Sequence, residues 1–253
     1  MALQRLMADE RFNNQQGWVV AATARREIWW LQPMLIVLTL GGFMAYTTWA
    51  VLQGAHYDYK NYLSPFYPPF AKPEWWPLSP AFLILWAPAG FRLSCYYFRK
   101  AFHRSFLLAP PACAVADARA GYTGESRFPL FLMNFHRYFL YLAMVELIIL
   151  WYHAARSVVF DGRLGAGTGS LVMVANVALL SLYLTSCHSF RHLIGGRLDC
   201  FSHCPSRHAL WSQVSRLNER HMLWFWLSLF SVGLTDLYIR LLSMGIISDM
   251  RLF

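Results

Sequence analysis

The chain has 253 residues, of which 57% are hydrophobic, 17% aromatic and only 14% charged. Soluble domains carry about 25% charged residues, so a hydrophilic enzyme, a disordered tail and a nucleic-acid-binding module are excluded and an integral membrane protein is left. The formal charge of +9 then becomes a question of sidedness, because Lys and Arg of membrane proteins gather in cytoplasmic loops.

A transmembrane helix takes about 20 mostly apolar residues, and five windows qualify: about 29–52, 78–98, 135–152, 168–190 and 222–247. The expected fold is all-α, a five-helix transmembrane bundle over residues 29–253. Residues 1–28 precede it as a cytoplasmic leader, in which Trp18, Val19, Val20 and Ile28 among polar residues leave an interfacial helix open beside a solvated segment. No cleavable signal peptide is expected, since the first apolar stretch follows Arg25 and Arg26 and is too long for an h-region.

Fourteen cationic residues fall on one side: Arg5, Arg11, Arg25 and Arg26 in the leader, Arg99, Lys100, Arg104, Arg119 and Arg127 after the second window, and Arg191, Arg197, Arg207, Arg216 and Arg220 after the fourth. Five fall on the other, namely Lys60, Lys72, Arg156, Arg163 and Arg251. The N-terminus is therefore expected inside and the C-terminus outside, in the cell's inner (plasma) membrane.

Between the first two windows, SPFYPPFAKPEWWPLSP (residues 64–80) holds too many prolines for a helix, and its aromatic residues suit the headgroup level. On the inner side LLAPPACAV ends the extension of the second window, and on the outer side GRLGAGTG separates the third window from the fourth. No internal repeat and no low-complexity tract is apparent.

All five cysteines, Cys95, Cys113, Cys187, Cys200 and Cys204, fall at inner ends of windows or in inner loops, with seven of the nine histidines: His103, His136, His188, His192, His203, His208 and His221. A reducing cytoplasm disfavours structural disulfides, so each thiol is either a small packing residue or a thiolate ligand. The ends of four windows converge on this layer and each brings a candidate ligand: Cys95, then His136, then Cys187 with His188 and His192, then His221. His188 and His192 are spaced i, i+4, which sets both imidazoles on one helix face where they can share a metal ion; Cys187 points about 100° away. Cys200, His203 and Cys204 resemble half of a zinc site, with a solvated loop as the competing reading.

Charged residues inside the windows form a second signal. Glu146 and Asp236 are costly at membrane depth unless they are paired or line a polar cavity, so each is a candidate for a proton path or a structural ion pair, Arg156 and Arg240 being the available partners. Arg92 and Arg137 near the inner boundary can snorkel to the interface or orient a polar headgroup.

The runs FRLSCYYFRKAFHRSFLLAPPACAV, YTGESRFP, NFHRYF, SCHSFRHLIGG and NERHM, spread over residues 91–240, resemble the membrane-anchor subunit of the actinobacterial type of succinate dehydrogenase. The resemblance implies five helices that hold a flavoprotein subunit and an iron-sulfur subunit on the cytoplasmic face and pass electrons to a quinone, menaquinone or ubiquinone. It also implies, for the mycobacterial form, a membrane-embedded Rieske-type [2Fe-2S] cluster where other classes hold haem b. Such a centre takes two thiolates on one iron and two imidazoles on the other. Carried over, the expected ligands are Cys95 and Cys113 on one iron and His188 and His192 on the other, with Cys187 as the alternative thiolate. Tyr96, Tyr122, Arg127, His136 and His221 are expected near the quinone, and Asp236 and Glu146 on a proton path. Phe190 stands where a further Cys is common in the family, and His103 where Tyr is expected, which argues against shared ligand roles at those two positions.

Three other readings compete. A haem b anchor of the same complex would use His136, His188, His192 and His221 as axial ligands. A di-iron hydroxylase is suggested by HSFRH, and a proton-coupled transporter would use Glu146 and Asp236. HExxH, GxSxG, Walker A and GxGxxG patterns are absent from the sequence.

Overall fold

A computed structural model describes residues 28, 30–68, 70, 72–106, 126–127, 130–160, 163–196 and 200–252. The expected leader, Cys113 and Tyr122 lie outside the described residues, apart from Ile28 at the leader's end.

Four helices among the described residues are long and apolar enough to cross a membrane. The first, α1 (Leu31–Gln53), contains no charged side chain and spans about 35 Å at 1.5 Å per residue; it stops at Gly54, whose φ of +60° is a left-handed conformation that glycine adopts without a Cβ penalty. The other three are α4 (His136–Arg156), α5 (Thr168–Thr185) and α8 (His221–Ser243). Apolar side chains such as Leu38, Ile148, Leu171 and Leu234 stay exposed on their outer faces, the pattern of a bundle whose solvent is lipid.

The second expected span is not one helix. A 3-10 turn (Pro80–Leu83) leads into α2 (Trp86–Leu93), and α3 (Tyr96–Phe106) starts after a break at Ser94 and Cys95. The break has a local cause: the Ser94 hydroxyl donates to the Gly90 carbonyl at 2.5 Å, and the Cys95 N–H tightens to the carbonyl of Arg92, three residues back. Side chains of this kind compete with the helix ladder for backbone acceptors.

The fourth expected span, 168–190, is divided in the same way. The Ser186 hydroxyl donates to Tyr183, the Cys187 N–H reaches back three residues to Leu184, and Cys187 itself is extended (φ −66°, ψ 142°) before α6 (His188–Gly195). The loop after it, expected to be solvated, contains α7 (Pro205–Glu219), begun by a proline at its first position where no N–H is needed.

Helix α5 packs on α4 and α8, α2 on α4, and α1 on α3. Leu40, Phe91, Leu140, Tyr183, Leu184, Phe225 and Leu229 form the core between them. At the Gly90 crossing, α2 and α4 approach so closely that a methyl group would overlap the Phe139 ring.

On the side opposite Cys95 and Cys187, two short hairpins, β1–β2 (Asp58–Tyr59, Tyr62–Leu63) and β3–β4 (Val159–Phe160, Arg163–Leu164), close the ends of the helices. Tyr62 donates to Asp249 at 2.6 Å, and Asp249 also accepts from Tyr238 and the Gly169 N–H. Burial together with this carboxylate pushes the Tyr62 phenol up to about 12. As the prolines required, the described part of residues 64–80 contains no α-helix.

Candidate metal centre

The two breaks place Ser94–Cys95 and Ser186–Cys187 at corresponding points of their helices, and a histidine from a third and a fourth helix completes each. His136 Nδ1 is 2.9 Å from the Ser94 hydroxyl and its Nε2 is 3.0 Å from the Cys187 sulfur. His221 Nδ1 is 2.7 Å from the Ser186 hydroxyl and its Nε2 is 3.5 Å from the Cys95 sulfur. Since each serine is covalently next to the cysteine that meets the other histidine, the contacts close into a ring: Ser94, His136, Cys187, Ser186, His221, Cys95.

The ring is covered symmetrically. Phe91, three residues before Ser94, stacks on His136 with centroids 4.7 Å apart, and Tyr183, three before Ser186, stacks on His221 at 5.1 Å. The sequence therefore does contain a short repeat: Phe91-x-x-Ser94-Cys95-x-x-Phe98-Arg99 and Tyr183-x-x-Ser186-Cys187-x-x-Phe190-Arg191. Its two copies sit in segments with different flanks and in two different windows, so it escapes a search for long repeats.

Helix N-termini surround the ring. His136 and His221 are the first residues of α4 and α8, Cys187 caps α6, and Cys95 directly precedes α3. Backbone N–H groups of Tyr97 and Phe98 point to the Cys95 sulfur, and those of Ser189 and Phe190 to the Cys187 sulfur. Free amides and the positive ends of helix dipoles stabilise negative charge, which is what buried thiolates require. Cys95, Cys187 and His221 are at most 2% exposed, so water does not compete for them. Arg92 lies beside the ring, its guanidinium 4.6 Å from the Tyr183 ring centre and hydrogen-bonded to the Phe225 carbonyl and the Ser228 hydroxyl.

Among the described residues no three His, Cys, Asp or Glu side chains gather about a single point, so Cys200, His203 and Cys204 do not form a three-donor zinc site. Two thiols and two imidazoles spread around a ring instead fit a binuclear group in which each metal takes two protein ligands.

The geometry brings together a different set of side chains from the expected one. Cys95 and Cys187 are both in the ring, and its two imidazoles are those of His136 and His221, which were expected as quinone neighbours. His188 and His192 face each other at 5.3 Å on α6, but both are exposed and no hydrogen bond joins either to Cys95 or Cys187. The i, i+4 rule identified a true helix-face pair; the helix begins one residue after Cys187 and turns that pair outward. Tyr96 and Arg127 are also exposed.

Asp236 is fully buried on α8 in an ion pair with Arg240 at 3.4 Å. It accepts from Tyr46 at 2.5 Å and from Ser64, while Arg240 donates to Gln53 and to the carbonyls of Ala50 and Ala55. With its oxygens so engaged, Asp236 ties α1, the loop at Ser64 and α8 together, the structural alternative to a proton path. Glu146, half-buried on α4, has neither a hydrogen bond nor an ion pair among the described residues.

A family model for the actinobacterial succinate dehydrogenase subunit SdhC matches residues 31–245. The chain is similar to a chain of the Mycobacterium smegmatis Sdh1 complex in the apo form, at 42% identity and a TM-score of 0.82 over 91% of this chain and 94% of that one. A search of curated proteins gave no match.

Proposed function

Because the chain belongs to the actinobacterial SdhC family, and so is a membrane subunit of a succinate dehydrogenase complex, we propose that it relays electrons from a docked iron-sulfur subunit to quinone through a Rieske-type [2Fe-2S] centre. Cys95 and Cys187 would hold one iron, and His136 and His221 the other. The observation that carries this reading is the closed ring of two buried thiols and two imidazoles, each imidazole fixed by a serine.

When bound, such a cluster supplies one-electron transfer at a potential that its imidazole ligands raise above that of an all-thiolate centre. The chain's part is to prepare its ligands. Ser94 and Ser186 fix the Nδ1 side of each imidazole, so that Nε2 faces inward. The helix N-termini offset the thiolate charge, and Phe91 and Tyr183 exclude water. Basic residues of α3, α6 and α7, among them Arg99, Lys100, Arg191, Arg207 and Arg216, supply a surface for the partner on the cytoplasmic side. The broken segment 80–106 makes the fifth crossing, with the N-terminus inside and the C-terminus outside, in the plasma membrane. A bis-histidine haem is supported less well, because each ring imidazole turns Nε2 to a thiol rather than to the other imidazole.

Low-temperature EPR and reduced-minus-oxidised visible spectra of the purified complex test the reading. A Rieske-type signal abolished by Cys95→Ser, Cys187→Ser, His136→Ala or His221→Ala, and kept in His188→Ala and Cys113→Ser, is expected. Haem b bands that survive both cysteine changes would overturn it.

A further inference from the structure

Arg92 follows Phe91 in one copy of the short repeat, and Leu184 follows Tyr183 in the other, so the ring has a cation on one side and a buried leucine at the matching place on the other. The guanidinium lies inside the bundle, 4.6 Å from the centre of the Tyr183 ring and 5.3 Å from that of Phe225. Tyr183 stacks on His221, so the positive charge and one imidazole of the centre share the Tyr183 ring as a neighbour. The charge acts on the Cys95 sulfur, three residues along the chain, as well as on His221. Two anchors fix it there: the Phe225 carbonyl at 3.3 Å and the Ser228 hydroxyl at 3.0 Å accept its hydrogen bonds. Both lie on α8, the helix that begins with His221. Neither anchor is an anion, whereas Arg240, buried elsewhere in the bundle, is paired with Asp236. Arg92 also borders a cavity of about 780 Å³, which Tyr183 lines too and whose wall is almost entirely apolar, with Phe43, Leu147 and Leu229 in it. Glu146, the acid that shares this wall, makes no ion pair among the described residues.

A positive charge held in apolar surroundings without a counter-ion is costly, and the cost falls when negative charge develops beside it. We propose that Arg92 is the fixed charge that raises the reduction potential of the metal group in the ring. The inference rests on the preceding reading, that a Rieske-type [2Fe-2S] centre occupies the ring. Two ferric ions are balanced by two sulfides and two thiolates, so the oxidised group is neutral. One electron from the docked iron-sulfur subunit, with no bond made or broken, leaves it with one negative charge. Attraction to a guanidinium about 10 Å away favours that reduced state on the order of tenfold at an effective dielectric constant of about 20. Net charge and burial are among the quantities that set an iron-sulfur potential. Salt screens a charge inside the bundle much less than one at the surface, and the α8 anchors hold it at a constant distance from His221.

The test is a redox titration followed by EPR on the intact purified complex with Arg92→Gln, Arg92→Lys or Ser228→Asp, with iron content per complex measured beside it. Arg92→Gln removes the charge and keeps a donor, whereas Ser228→Asp keeps the arginine and sets a carboxylate against it. Both should load iron, keep the parent line shape and lower the ratio of reduced to oxidised cluster at the parent midpoint about tenfold, which is about 59 mV for a one-electron couple. Arg92→Lys, which keeps the charge, should recover most of that shift. Should Arg92→Gln fail to load, Ser228→Asp against Ser228→Asn gives the same comparison with the arginine in place. A parent potential in loaded Arg92→Gln or Ser228→Asp, or an Arg92→Lys potential as low as that of Arg92→Gln, overturns this inference alone. Iron lost from all three variants would make Arg92 a residue of assembly and overturns it as well. Absence of the Rieske-type signal from the parent complex overturns the preceding reading, and this one with it.

Discussion

The Nε2 atom of His136 lies 3.0 Å from the sulfur of Cys187, while its Nδ1 is held at 2.9 Å by Ser94, a residue 93 positions from that cysteine. The imidazole is thereby oriented from behind by one helix break and meets its thiol at the other. Partners of this kind that sit behind a metal ligand typically contribute about 10- to 100-fold in metal affinity. Ser94→Ala and Ser186→Ala should each keep a cluster at reduced occupancy, and the double variant should lose most of it. Iron content per complex with EPR spin quantitation measures this, and full occupancy in the double variant would show that the serines serve only the helix breaks.

Asp236 and Arg240 supply a contrasting case, a buried pair away from the ring. Removing one member of such a pair costs about 3–5 kcal/mol because the other charge is left uncompensated. Asp236→Ala should lower the thermal midpoint of the solubilised complex by several degrees, and a joint change to Asp236→Leu with Arg240→Met should recover part of the loss. Quinone reduction per intact complex should stay at the parent level. A large fall in turnover with an unchanged midpoint would restore Asp236 to a proton path.

The close crossing at Gly90 transmits packing directly to the centre, since Gly90 lies one residue before Phe91, the ring on His136. A methyl group placed there meets Phe139, and overpacking of this sort costs about 1–3 kcal/mol. Gly90→Ala should destabilise the complex and broaden or shift the EPR signal, and Phe139→Leu should relieve both. A double-mutant cycle on the thermal midpoint reads the coupling; additivity would mean that α2 and α4 do not touch at this point.

The helices with uninterrupted hydropathy, α1, α4, α5 and α8, were legible because lipid demands apolar length and little else. The breaks at Ser94 and Ser186 were not, because a hydroxyl that bonds its own helix leaves hydropathy nearly unchanged, so residues 78–98 and 168–190 each read as one continuous span. That is also why the structure brings His136 and His221, and not the expected pair His188 and His192, to the two buried thiols. On an unbroken helix His188 and His192 would continue the helix past Cys187, whereas after a break at Cys187 they belong to a new helix with its own direction. A sequence can show which residue types fall in this layer, but which of them meet depends on contacts 51 residues apart for His136 with Cys187 and 126 apart for Cys95 with His221. The signal available in the sequence was the repeated aromatic-x-x-Ser-Cys-x-x-Phe-Arg segment.

That repeat is imperfect at one position, and the difference is chemical. Phe91 has no hydroxyl, whereas Tyr183 carries a buried one beside the Cys95 thiol. Hydrogen bonds to the ligand sulfurs are among the quantities that set an iron-sulfur potential, and donation to a thiolate stabilises the reduced, more negative state. Tyr183→Phe, which makes the two halves alike, should therefore load the cluster normally, keep the stacking on His221 and lower the midpoint potential. A redox titration followed by EPR decides it. A potential equal to that of the parent would mean that the hydroxyl serves the adjoining cavity instead, and a drop confined to Tyr183→Phe, absent from Phe91→Leu, would assign it to the Cys95 sulfur.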